Sequence, residues 1–280
     1  MPGISLSYLL KHPVTAVASV AADPVEVWIK FEEKYADWRA GRKPASNPYD
    51  SDAEWEPRLH RRLGLDWPCP SGAEFREHWP RVIQELEAEG IHAGPGSFRT
   101  YNDGDAGLTR GIWCLVRHLK PERVVETGVA HGVTSRFILD ALALNGHGHL
   151  WSIDLPPLEE DWRKQVGVAV GSRHKDRWTY INGSSRRRLP GLLSQLGRID
   201  LFIHDSLHSQ RNVLFELERA WAAVRPGGAI VVDDVDVNHA FPLFTRGMPS
   251  DQFMICEAEP ITPDVRRFNH KGLFGIIFKD

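Results

Sequence analysis

The sequence predicts an α/β domain with a doubly wound, mostly parallel seven-stranded sheet, preceded by an N-terminal extension of helices and loops. Three observations carry this expectation. From Asp105 onward, short β-branched and aliphatic runs alternate with segments of helical period. The intervening segments are long enough for the crossovers that parallel strands require. The last two apolar runs are instead joined by a stretch with two prolines and no helical period, which fits an antiparallel final strand paired at the sheet edge.

The elements follow in order. Asp105 is placed to cap a helix whose apolar residues Leu108, Ile112, Leu115, Val116 and Leu119 fall on one face, and Pro121 ends it. The run from Arg123 to Glu126 is the first strand of the sheet and stops at Gly128. A helix bearing Phe137, Ile138, Ala141 and Leu142 follows and closes at Asn145-Gly146. Strands are expected at His149–Asp154, Trp178–Ile181 and Ile199–His204. Ser209 starts a helix with Val213, Leu214, Leu217, Ala220, Trp221 and Val224, stopped by Pro226-Gly227-Gly228. Ala229–Val232 is the fifth strand, and Gln252–Cys256 and Leu273–Phe278 are the final pair.

The first hundred residues differ in character. They hold five of the ten tryptophans and ten of the nineteen prolines. Val25–Trp38 and Gly72–Glu89 have helical character, whereas Arg42–Trp55 and Leu63–Ser71 read as loops. Tryptophans in such a setting pack an extension onto a main domain. The expected division is therefore an extension over 1–100, serving an acceptor pocket or a homo-oligomer contact, and a main domain over 101–280.

Composition narrows the function. At 280 residues, 42% hydrophobic and 25% charged, the chain can bury a real core. Its net charge of −3 argues against nucleic acid or an anionic membrane as partner. Cys69, Cys114 and Cys256 lie far apart without a CxxC, which speaks against a disulfide framework and cysteine-type zinc sites. No apolar run approaches a bilayer span, and Val14–Ala22 is too short in its apolar core for a signal peptide. A soluble, reduced, cytoplasmic protein is expected.

The segment Glu126-Thr127-Gly128-Val-Ala-His-Gly132-Val-Thr134-Ser135 lies between a strand and a helix. Glycines there let a ligand approach the backbone, and the helix start offers free N–H groups. The spacing is G-x-x-x-G, unlike the three-glycine turn of dinucleotide sites. Asp154 ends the next strand, 26 residues after Gly128 (154 − 128), where a carboxylate can accept from ribose hydroxyls.

Val124–Gly132 followed by Ser152-Ile-Asp154 resembles the first two motifs of class I S-adenosylmethionine-dependent methyltransferases, a Rossmann-like family. The resemblance implies that the glycine loop, with Glu126, Thr127, Gly128, Gly132, Thr134 and Ser135, holds the methionine part of the cofactor. It implies that Asp154 holds the ribose and that Gly183-Ser184 lines the adenine. It covers roughly Tyr101 to Asp280.

Two further strands end in acid, at Asp205 and at Asp233-Asp234. In a doubly wound sheet all three carboxylates reach the edge that carries Gly128 and Asp154. Like charges there repel unless a cation neutralises them, and hard oxygen ligands suit Mg²⁺. Such an ion would bind and acidify a substrate hydroxyl. His208, three residues beyond Asp205, is placed to take its proton. The pattern Asp205-x-x-His208, then Asp233-Asp234 twenty-eight residues on (233 − 205), resembles the metal-dependent sugar O-methyltransferases of macrolide biosynthesis. That resemblance implies Asp205, Asp233 and Asp234 as metal ligands, with Asp205 also at the cofactor, and His208 as catalytic base. Asp233 stands where those enzymes carry Glu.

Other residues carry less. His204 is expected in the core, facing away from Asp205. Arg186–Arg188 read as a solvated helix start, and Tyr101, Asn102, Asp103 and Asp105 are positioned to close over a cofactor. The expected function is methylation of a hydroxyl on a small molecule such as a sugar or glycosylated metabolite. The alternatives are an NAD(P)-dependent oxidoreductase and a non-catalytic nucleotide-binding protein.

Overall fold

A computed structural model of the chain describes residues 24–40, 51, 52, 54–99, 101–157, 159–172, 174–257 and 272–280. Val14–Ala22 and most of the expected Arg42–Trp55 loop lie outside these residues. The extension contributes α1 (Pro24–Ala40), α2 (Trp55–Arg62) and α3 (Pro70–Ala88). A two-stranded hairpin follows, β1 (Gly94–Phe98) and β2 (Tyr101–Asp103), spanning the expected division at residue 100. Then come α4 (Ala106–Leu119), β3 (Arg123–Thr127), α5 (Val133–Asn145), β4 (His149–Asp154), a short α6 (Glu160–Arg163) and β5 (Trp178–Asn182). The chain continues through α7 (Ser185–Leu196), β6 (Ile199–His204), α8 (Gln210–Ala223), β7 (Val224–Val232), α9 (Ala240–Phe244), β8 (Phe253–Glu257) and β9 (Leu273–Phe278).

The main sheet has seven strands in the order β5-β4-β3-β6-β7-β9-β8. Its strands β5, β4, β3, β6 and β7 are parallel. β9 runs antiparallel to both neighbours and inserts between β7 and β8, so β8 takes the edge. The order reverses between β3 and β6, and in such sheets the ligand crevice lies beyond the carboxyl ends of the strands at that reversal.

Both faces of the sheet are covered. On one side Trp55, Leu59, Phe75 and Val82 of α2 and α3 join Ile112, Trp113 and Phe137 of α4 and α5 in a single core with Val124, Leu201 and Phe274. On the other, Leu189, Val213, Leu217 and Phe241 pack against Val125, Phe202 and Ile230. The alternation of Val124 and Val125 between these cores is the period-two pleat of β3. Trp55 is 1% exposed and sits edge-on to Phe274 at 5.3 Å, which is the packing role expected for the tryptophans of the extension. By contrast Trp28 is 60% exposed.

Two local features differ from expectation. The helix α2 goes beyond the expectation, because its eight residues offer only one apolar pair at helical spacing, Trp55 and Leu59. Pro57 is harmless in the first turn, and burial of Trp55 and Leu59 holds the helix in place. β7 begins at Val224, five residues before the expected Ala229, and its pairing with β6 is irregular between Ile199 and Leu201.

Candidate functional site

Ladder hydrogen bonds run one residue past the strands and gather the predicted residues at the carboxyl edge. Gly128 N–H donates to the Ile153 carbonyl, Asp205 N–H to Thr127, Gly183 N–H to Asp154 and Asp233 N–H to His204, each at 2.9 Å. Gly128 has φ +89°, and a Cβ there would lie 1.8 Å from the Asp205 carbonyl oxygen. The glycine is therefore required by the close approach of β3 and β6. Gly132, also at φ +89°, is the N-cap of α5 and provides no side-chain acceptor for the first turn that contains Thr134 and Ser135. Those first-turn amides suit an anionic ligand group.

The acid after β4 shapes the loop. Asp154 Oδ2 accepts from the N–H groups of Val129 and Ala130 at 3.1 and 3.2 Å, holding Ala130 at φ +50°. Burial raises its carboxyl to about 6, against the pull of those amides. One oxygen of Asp154 thus orders the glycine loop, a structural part distinct from the ribose contact expected of it. The hairpin adds a second clamp. Asp103 Oδ2 accepts from His131 N–H at 2.8 Å and lies 3.4 Å from Nδ1 of the same residue. His131 in turn reaches Gln165 Oε1 at 3.1 Å and packs against Phe98. Of the segment expected to close over a cofactor, Asp103 holds the loop while Asp105 caps α4 through Leu108 N–H at 2.7 Å.

Three of the residues expected at the cofactor turn their side chains toward other partners. Glu126 points into the α5 face, where its Oε2 accepts from Ser135 Oγ at 2.6 Å and Ser152 Oγ at 2.7 Å. Thr127 points into the α8 face, where its hydroxyl donates to Glu216 Oε2 at 2.5 Å. The side chains of Glu126, Thr127 and Ser135 are buried in these bonds and shape the crevice from beneath. Ser184 Oγ donates to Glu26 Oε2 at 3.0 Å, and Arg187 lies 3.4 Å from the same oxygen, so α1 reaches over the Gly183-Ser184 step. Arg186 stacks on Phe215 at 4.8 Å, which gives the arginine run a structural use at the start of α7.

Burial pushes the Glu126 carboxyl up to about 8, with the two hydroxyl donors opposing. The unfolded chain releases this proton near the ordinary carboxylate value. As pH rises from there through about 8, the folded state retains a proton that the unfolded state has lost, so stability falls across that window and levels off above it. Each tenfold difference in proton affinity between the two states is worth about 1.4 kcal/mol. Glu126→Gln keeps an acceptor for both hydroxyls and should flatten this slope, with a higher Tm than wild type on the alkaline side. Parallel Tm–pH curves for the two proteins would rule the assignment out.

The acidic residues converge with His208. Ligand atoms of Asp205, His208 and Asp233 all lie within 4.8 Å of one another. His208 Nδ1 is 3.0 Å from Asp234 Oδ2, and its Nε2 is 3.7 Å from Asp205 Oδ1. Burial lowers the His208 pKa, but Asp234, Asp205 and Asp233 together lift it well above the usual imidazole value. Burial, followed by Asp234 and Asp205, raises the Asp233 carboxyl well above the ordinary range. A cation would relieve this repulsion, and the carboxylate oxygens are hard ligands of the kind that suits Mg²⁺. Asp234 adopts φ +50°, uncommon outside glycine, and engages His208.

The cluster rests on a buried network that the strand ends alone do not reveal. His204 is fully buried with Nδ1 2.6 Å from Glu216 Oε2. Glu216 Oε1 accepts from Ser206 Oγ at 2.7 Å and Asn212 Nδ2 at 2.9 Å. Burial disfavours the Glu216 carboxylate, yet His204, with the Ser185 and Thr127 hydroxyls, holds its pKa down at about 2. His204 belongs to the core as expected. Glu216 was missed, although its place on the apolar face of α8 between Val213 and Ala220 is a readable signal.

Comparisons with known proteins agree with this architecture. Residues 125–235 match the family model of a methyltransferase domain. No curated protein matches the sequence. Among solved structures, the chain is similar to the O-methyltransferase TomG of Streptomyces achromogenes, involved in tomaymycin synthesis and solved with SAM. The identity is 14%, covering 72% of this chain and 89% of that one, with a TM-score of 0.50. It is also similar to an O-methyltransferase from Bacillus cereus solved with SAH, at 14% identity over 79% of this chain and 97% of that one, TM-score 0.48. At such identities the likeness is one of fold. The glycine loop, the acid after β4 and the match over residues 125–235 agree on a methyltransferase domain in that part of the chain, carried on a Rossmann-like sheet.

Proposed function

We propose that the chain transfers a methyl group from S-adenosylmethionine to a hydroxyl of a small molecule, such as a sugar or glycosylated metabolite, with assistance from Mg²⁺. The observation that carries this reading is the convergence of Asp205, His208 and Asp233 beside the loop Gly128–Gly132 and Asp154. S-adenosylmethionine supplies a methyl group already activated on a sulfonium. Gly128, Gly132 and the first turn of α5 with Thr134 would hold its methionine part, the remaining oxygen of Asp154 its ribose, and Gly183-Ser184 its adenine. Mg²⁺, held by Asp205, Asp233 and the neighbouring Asp234, would acidify the acceptor hydroxyl.

His208 provides the proton path. With the carboxylates that keep His208 protonated neutralised by a bound cation, the imidazole would be free to act as base: Nδ1–H would be donated to Asp234, and Nε2 would accept the acceptor proton as the oxygen attacks the methyl carbon. The reach of Glu26 to Ser184 supports a role for the N-terminal extension in walling the acceptor pocket. A net charge of −3 favours a small molecule over nucleic acid or a membrane surface as partner. Three free cysteines fit a reducing compartment such as the cytoplasm. Among the described residues no helix is long and apolar enough to cross a membrane.

One experiment addresses cofactor and metal together. Calorimetry should show S-adenosylhomocysteine binding that survives EDTA and is weakened by Asp154→Ala, each charge-assisted bond being worth roughly 1.5–3 kcal/mol. Methyl transfer to a panel of hydroxylated acceptors should stop in EDTA and return with Mg²⁺ alone. Undiminished affinity in Asp154→Ala would remove the ribose assignment, and full turnover in excess EDTA would remove the metal.

A further inference from the structure

A second group of metal-binding side chains lies away from the crevice, where the extension meets α4. The segment joining α2 to α3 folds back so that Cys69, the N-cap of α3, comes within 2.8 Å of His60 Nε2 on α2. The same sulfur is 3.4 Å from His118 Nε2, in the last turn of α4. Ligand atoms of the three residues all lie within 4.8 Å of one another. Cys114 stands one turn before His118 on α4, on the Cys69 side but outside the 4.8 Å group of three. His60, Cys69 and Cys114 are buried, and His118 is half-buried at the margin.

We propose that His60, Cys69, Cys114 and His118 form a structural zinc site that fastens α2 and α3 to α4. Two imidazoles and two thiols are a recognised tetrahedral donor set for Zn²⁺, and four protein ligands leave no open position for a substrate. The orientation of His60 is that of a ligand. Its Nδ1 is bonded to the Glu56 carbonyl at 2.7 Å, which fixes the tautomer and turns the Nε2 lone pair toward Cys69. Cys114 and His118 are four residues apart on one helix, so both side chains leave the same face.

The dimensions suit the three gathered donors, and Cys114 would have to close on them as the fourth when the metal binds. Zinc–sulfur and zinc–nitrogen bonds at the tetrahedral angle separate the two donor atoms by about 3.6 Å. The His118 contact is already near that value, and the His60 contact must open by less than an ångström. Each thiol releases its proton to solvent as the metal binds. Linear spacing conceals this site, because its donors come from two helices and a loop separated by 49 residues between Cys69 and His118.

Cobalt is the probe that tells this site from the carboxylate cluster, since only sulfur ligands give a thiolate-to-cobalt charge-transfer band. The reduced, full-length chain, stripped by chelator, should take up one equivalent of Co²⁺ with that band and the intense visible absorption of a tetrahedral ion. Zn²⁺ should displace it and raise Tm. Cys69→Ser should weaken zinc binding by at least about 100-fold and lose most of the band. If that variant fails to fold, His118→Cys serves instead, because it keeps four donors and should strengthen the band. A folded, reduced wild-type chain that shows no charge-transfer band at stoichiometric cobalt overturns the proposal, as does an unchanged band in folded Cys69→Ser.

Discussion

Replacing His208 by alanine should lower kcat by about 100- to 10,000-fold, the range of a positioned general base, while cofactor affinity stays near wild type. The geometry gives both ring nitrogens an assignment. Nδ1 is held by Asp234 at 3.0 Å, and Nε2 faces Asp205 across 3.7 Å. The competing role for this residue is to cap the helix that follows, and the structure removes it. Ser209 is the N-cap of α8, its Oγ accepting from Asn212 N–H at 3.1 Å. Loss of the imidazole therefore leaves the helix intact. Measuring kcat and Tm on the same variant decides the matter, and added imidazole should restore part of the rate. Wild-type turnover in a destabilised His208→Ala would make the residue structural.

Gly128→Ala should be among the most damaging single substitutions in the chain. The left-handed backbone alone costs an alanine about 1–2 kcal/mol. The larger cost is spatial, because the new Cβ would lie 1.8 Å from the Asp205 carbonyl oxygen and 2.5 Å from its carbon. These are backbone atoms of a central strand end, so neither side can yield without moving β6 and the carboxylate cluster with it. A combined loss of more than about 3 kcal/mol, with loss of cofactor binding, is expected. Gly146 is the control, since it has φ +80° with no atom within 4 Å of an added Cβ. Gly146→Ala should show the conformational cost only. Equal denaturation midpoints for the two variants would refute the crowding argument.

Both predictions depend on strand ends that are legible in the sequence. The glycine loop, Asp154, Asp205 and Asp233-Asp234 each follow a short β-branched run, and parallel topology carries such positions to one edge. What the side chains do there is less legible. Glu126 and Thr127 sit in the middle of the motif, yet the pleat sends one to Ser135 and Ser152 and the other to Glu216. A motif records which residues are adjacent along the chain, whereas the direction of each side chain depends on which layer covers that face.

The sequence by itself determined the alternation of strand and helix, the parallel sheet, the position of the ligand edge and the acids that line it. These are short-range properties: hydrophobic period reports which face is buried, and glycine, proline and capping residues report where an element stops. Tertiary structure alone decided the insertion of β9 between β7 and β8, the clamp of Asp103 on His131, the Glu216 network beneath the site and the meeting of His60, Cys69 and His118. Each of these includes a contact between residues distant in the chain, such as the 28 residues between Asp103 and His131, the 49 between Cys69 and His118 and the 89 between Thr127 and Glu216. Such contacts are set by sheet order and by which loops close against each other. Local pattern carries no record of either, because the free energy that selects them arises only when distant faces are buried together.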